Sequence, residues 1–155
     1  MIITLEQDEI TICNVLGRMR SLIARASHVK DAKMGKQDGA EADVLGFAGE
    51  YAFAKQFNTF PDIGLSPRSG SADGVFKNLR YDIKSTNLPN GRLLCTLKEN
   101  TDVDIYVLAI VNLPTVNIVG WVYSKELRLE KNLKDLGHGN GYVLDQSQLR
   151  KFKND

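Results

Sequence analysis

The chain has 155 residues, a formal net charge of +1, 43% hydrophobic residues and 25% charged residues. This is the size and composition of one globular domain, spanning 1–155, that can bury about two-thirds of its unfolded surface without staples. A net charge so near zero argues against binding driven by overall charge and leaves any nucleic-acid contact to local patches.

Two cysteines, Cys13 and Cys95, show no CxxC and no ligand spacing. They fit reduced thiols in a cytosolic protein better than a disulfide framework or a zinc site. The opening residues turn acidic too early for a signal peptide. No apolar run approaches the roughly 20 residues that span a bilayer. The expected setting is cytoplasmic, with no membrane partner.

From Asp8 to Ala26, the apolar residues Ile12, Val15, Leu16, Met19, Leu22 and Ile23 recur at helical spacing, with Arg18 and Arg25 on the other side. This predicts an amphipathic helix. Residues 27–43 are polar, carry Gly35 and Gly39, and read as a loop. Between Gly17 and Lys36 stand six Lys/Arg against one Asp, a basic bias that the chain average hides. A second helix is expected over Glu41 to Asn58.

Strands follow. "ADGVF" and "YDIKS" form a hairpin, and "LLCTL" (93–97) is a short strand. "DIYVLAIV" (104–111) is apolar enough to be buried on both faces. "VNIVGWVY" (116–123) comes after the turn "NLPT". Ser124 is placed to cap a short helix, "KELRLE"; "GHGNG" is a turn and "GYVLD" a last strand. Helix, helix, then a run of strands predicts an α+β domain, an α/β sandwich with a mixed central sheet flanked by helices.

In the hairpin, Asp82 and Lys84 share one face of their strand, with Tyr81, Ile83 and Ser85 on the other. A turn centred between Asn78 and Leu79 pairs Val75 with Asp82 and Asp73 with Lys84, so that Asp73, Asp82 and Lys84 share a face. Two readings are open at this point. The face either carries exposed Asp–Lys pairs worth a few tenths of a kcal/mol, or forms part of a metal site.

The second helix bears on that choice. From Val44 to Phe57 the only charged residues are Glu50 and Lys55. Gly46, Gly49, Glu50, Phe53 and Phe57 fall within an arc of about 100°. A helix apolar nearly all round is mostly buried. Gly46 and Gly49 are expected where a packed sheet approaches closely, and a buried carboxylate beside them needs a metal ion or a cationic side chain. The alternative is a rim glutamate, or one held by an arginine.

"GFAGEYAFAKQF", "ADGVF" and "YDIKST", in that order, resemble the PD-(D/E)XK nuclease superfamily, which has the restriction-endonuclease-like fold. That family places an acid on a helix, an aspartate on the first strand of a hairpin and a (D/E)-x-K triplet on the next. Here Glu50 matches the helix acid, Asp73 the aspartate, and Asp82-Ile83-Lys84 the triplet. The motif covers about Asp43 to Thr86 and extends loosely over "DIYVLAIV" to "YSKEL". Ala72 stands where the motif opens on proline.

The resemblance implies a Mg²⁺- or Mn²⁺-dependent deoxyribonuclease. Asp73, Asp82 and the Ile83 carbonyl would be metal ligands, Glu50 would hold a water on the metal or a second ion, and Lys84 would assist the attacking water. DNA phosphates would meet Arg18, Arg25, Arg68, Arg80 and Arg92. Cutting two strands needs two centres, which implies a homodimer. Competing expectations are an inactive nucleic-acid-binding or interaction domain of the same fold, and a non-nuclease interaction protein in which Glu50 lies far from Asp82. His28 and His138 have no partner at ligand spacing and read as structural or surface residues.

Overall fold

A computed structural model of the chain describes residues 1–27, 39–65, 72–97, 102–137 and 139–153. The order of elements is β1 (Ile2–Thr4), α1 (Gln7–Ala26), α2 (Gly39–Phe57), β2 (Gly74–Phe76), β3 (Leu79–Thr86), β4 (Leu93–Thr96), β5 (Ile105–Asn112), β6 (Thr115–Tyr123), α3 (Ser124–Leu127), β7 (Leu133–Asp135) and β8 (Asn140–Leu144). Five strands form a mixed sheet in the order β1-β6-β5-β3-β2. The β3–β5 pair is parallel and the other pairs are antiparallel. A second sheet has the order β4-β8-β7. The result is an α+β sandwich.

β5 explains the layering. Its first seven residues are all buried. Ile105, Val107, Ala109 and Val111 point into the core beneath the helices, with Phe47, Ala48, Ala52 and Phe53 of α2. Tyr106, Leu108 and Ile110 point into a second core with Leu93, Cys95, Leu127 and Leu144. The central strand is apolar throughout because it feeds two cores with alternate residues. α1 and α2 cover one face of the large sheet, and the small sheet with the single-turn α3 covers the other.

The two long helices approach closely. A Cβ added to Gly17 would stand 2.5 Å from the Val44 Cα. α1 buries Cys13, Gly17 and Ser21. On the outer side, Ile12, Val15, Met19 and Leu22 are exposed. A ridge of small residues lets the helix backbones meet, and that contact takes the inner side of α1.

The hairpin turns at Lys77–Asn78, not at Asn78–Leu79. Both residues have positive φ, 48° and 63°, which matches the twist of antiparallel strands in a two-residue turn. The pairs are Gly74–Tyr81, Val75–Arg80 and Phe76–Leu79. The pairing thus shifts by two residues from the expected one, and an even shift leaves every side chain on its expected face. Ser124 is the first residue of α3, with Tyr123 in the capping position. The sequence reading passed over β1 and β7, each of three residues. Most of the 27–43 loop, including His28, lies outside the described residues, as do His138 and Arg68.

Candidate active site

Gly49 seats α2 on the sheet. A Cβ there would overlap Ser85 Oγ and press within 3.3 Å of Ala109 and Ile83 side-chain carbons. The expected close approach occurs at this glycine. Gly46 has nothing within 4 Å, so close packing does not explain it. The contact at Gly49 brings the next residue, Glu50, over the end of β3.

Glu50 faces Arg20 of α1. Arg20 Nη1 donates to Glu50 Oε2 at 2.9 Å, and the two side chains are only 13% and 14% exposed. The same guanidinium donates to the Asp62 and Gly64 carbonyls and lies 4.7 Å from the Phe47 ring centroid. Arg20 therefore ties the helix acid to both helices and to residues 62–64. A glutamate held by an arginine was the alternative left open by the sequence, which did not say which arginine. The available signal was an arginine on the border of the small-residue ridge Cys13, Gly17 and Ser21.

Asp73 lies just before β2. Its N–H donates to the Tyr81 carbonyl at 2.8 Å, and its Oδ2 accepts from the Ile83 N–H at 2.6 Å. One step beyond the ladder, Asp73 comes level with Asp82, not Lys84. Backbone groups two residues apart on a strand point to the same edge. The Ile83 carbonyl therefore faces the edge of β3 where Asp73 sits and β2 has ended. Burial, then the charges of Glu50 and Asp82, hold the Asp73 carboxyl well above its ordinary pKa. These causes put Glu50 and Asp82 within electrostatic reach of Asp73.

Asp82 and Lys84 point to the opposite face from Tyr81 and Ile83, which lie in the helix-side core. Lys84 Nζ bonds Asp82 Oδ1 at 2.7 Å and Oδ2 at 2.8 Å. Burial opposes the lysine's charge, but the Asp82 carboxylate outweighs it and holds Lys84 above its ordinary pKa. Lys84 is thus an ammonium at neutral pH. In parallel register Asp82 neighbours Tyr106, whose ring centroid is 5.7 Å from Lys84 Nζ. Arg128 Nη2 donates to Tyr106 Oη at 2.9 Å and completes a polar wall on this side. Tyr106 and Arg128 were missed, because nothing local in sequence links them to the triplet.

Glu50, Asp82 and Lys84 thus all lie within electrostatic reach of Asp73 beside β3. Among the described residues, no three acidic, histidine or cysteine side chains converge tightly enough to chelate one ion. Glu50 is turned to Arg20 and Asp82 to Lys84. The donor set still fits a hard divalent cation, because it is all oxygen and Asp73 carries a charge burden that a cation would relieve.

The expected phosphate contacts divide. Arg80 pairs with Asp102 at 3.1 Å and with Asp104 at 3.5 Å. Arg18, Arg25 and Arg92 are exposed. Arg18 lines an open cavity of about 300 Å³ with Asn14, Glu41 and Asn87. No protein-family model, curated protein or solved structure matches this chain.

Proposed function

We propose that this protein is a divalent-metal-dependent nuclease of the PD-(D/E)XK kind that hydrolyses DNA phosphodiester bonds. The observation that carries the reading is the burial of Asp73 beside Glu50 and Asp82, with its carboxylate bonded to the Ile83 N–H; burial first, then the two neighbouring charges, hold its carboxyl above the ordinary range. Like-charged acids gathered at a strand edge are costly to a fold and useful to a metal site.

Asp73, Asp82 and the Ile83 carbonyl would hold Mg²⁺ or Mn²⁺, with Glu50 as the outer acid. When bound, the ion supplies positive charge against the phosphate and acidifies a water. Lys84, an ammonium held by Asp82, donates hydrogen bonds to the attacking water and offsets charge that develops on the phosphate. The Ile83 N–H fixes Asp73, and Arg20 fixes Glu50. Of the expected arginines, Arg92 is exposed and would contact phosphates without reading sequence.

A second reading, an inactive binding or interaction domain of the same fold, draws support from the two ion pairs that engage Glu50 and Asp82. Cleavage of linear and circular DNA with Mg²⁺ or Mn²⁺ separates the two. The nuclease reading expects activity that is lost in Asp82→Asn and in Lys84→Ala. Activity that survives both substitutions rejects the site, and no cleavage by folded wild type favours the second reading.

A further inference from the structure

Helix α1 carries an uncovered stripe. Ile12, Val15, Met19 and Leu22 are 43, 51, 40 and 63% exposed. Scattered exposed apolar residues are ordinary, but a contiguous row marks an interaction site. The spacing here is three, four, three, the seam of a coiled coil. Exposed Asp8 continues the seam one turn earlier and exposed Ala26 one turn later. Among the described residues nothing covers this side of the helix, because α1 meets α2 through Cys13, Gly17 and Ser21.

We propose that this stripe is the interface with a second copy of the chain, the two α1 helices lying antiparallel about a two-fold axis between Val15 and Met19. That arrangement sets Ile12 against the second copy's Leu22 and Val15 against its Met19. An interface of this kind is self-complementary, as two-fold pairing requires. Charge selects the direction. Antiparallel pairing brings Asp8 within reach of the second copy's Arg25 at both ends and opposes the two helix dipoles. Parallel pairing would set Asp8 against Asp8 and align the dipoles. Asp8 and Arg25 are exposed and in no ion pair among the described residues, so both are available for this contact. Arg18 flanks the axis, where its long stem can lie along the seam while its head reaches water.

The inference does not rest on the nuclease reading. Its test is the mass of the full chain by sedimentation across micromolar concentrations. The expected result is a dimer for wild type, and a monomer with unchanged circular dichroism for Val15→Glu and for Leu22→Glu. Asp8→Arg and Arg25→Asp should each weaken the dimer, and the two together should restore it. Mixing Val15→Cys with Met19→Cys protein under oxidation should give the 15–19 heterodimer in preference to either homodimer, since Cys13 and Cys95 are buried. A monomeric wild type overturns the proposal, as does a dimer indifferent to both glutamate substitutions. Cross-linking confined to 15–15 and 19–19 overturns the antiparallel arrangement.

Discussion

Arg20 and Glu50, on different helices, form an ion pair of 2.9 Å in which both side chains are largely buried. Removing the arginine leaves a carboxylate without that partner in a poorly hydrated place, which typically costs about 3 kcal/mol. Arg20→Ala should therefore lower unfolding stability by about that amount in a urea titration. Adding Glu50→Gln should recover much of the loss. If the double variant is no more stable than Arg20→Ala, the arginine acts chiefly through the Asp62 and Gly64 carbonyls.

Asp73 gives the pH dependence. Its folded-state pKa is raised, so the folded protein binds this proton more tightly than the unfolded chain does. The resulting stability is fully present below the ordinary carboxyl value and is lost as pH rises through the folded value. Above the ordinary carboxyl value the folded state therefore carries this group as a burden. Asp73→Asn should melt higher than wild type at pH 7 without metal, and the gap should close in acid. Mg²⁺ should raise the melting temperature of wild type and not of the variant. An Asn variant less stable than wild type at pH 7 would show that the Ile83 N–H bond outweighs the charge burden.

Lys84 and Asp82 supply the catalytic prediction. Lys84 has a raised pKa, so the stability it adds is present below the ordinary lysine value and lost only as pH climbs through the raised one. Melting temperatures near neutrality should therefore show no inflection from this group. Cleavage should fall by at least about 10²-fold in Lys84→Ala, the loss typical of a positioned proton-transfer or hydrogen-bonding group. Single-turnover rates on DNA measure it.

Gly46 and Gly49 make an internally controlled pair. Gly49→Ala would drive a methyl into Ser85 Oγ and should cost about 1–3 kcal/mol, partly regained by adding Ser85→Ala. Gly46→Ala meets nothing and should stabilise α2 by up to about 1 kcal/mol. Thermal unfolding of the two variants checks both signs.

The α+β class, both long helices and the hairpin were legible because their signals are local. Apolar spacing marks α1 and α2, and alternation puts Asp82 and Lys84 on one face whatever the turn. β5 was legible because every position from Ile105 to Val111 is buried. β1 and β7 carry three residues each, too few for a period to show. The hairpin turn was misplaced because Lys77 and Asn78 adopt positive φ without the glycine that usually announces it.

The sequence by itself determined which acids stand on which strand and helix, because side-chain direction follows from residue spacing within one element. Only the tertiary structure decided what each acid meets. Arg20 reaches Glu50 across 30 positions, and Arg80 turns to Asp102 and Asp104 across more than 20. The side of α1 that packs inward was decided the same way. Its strongest apolar stripe faces out because the backbone contact at Gly17 and Val44 can form only along the small-residue ridge. Periodicity reports where the apolar residues lie, and packing geometry chooses which of them the fold covers.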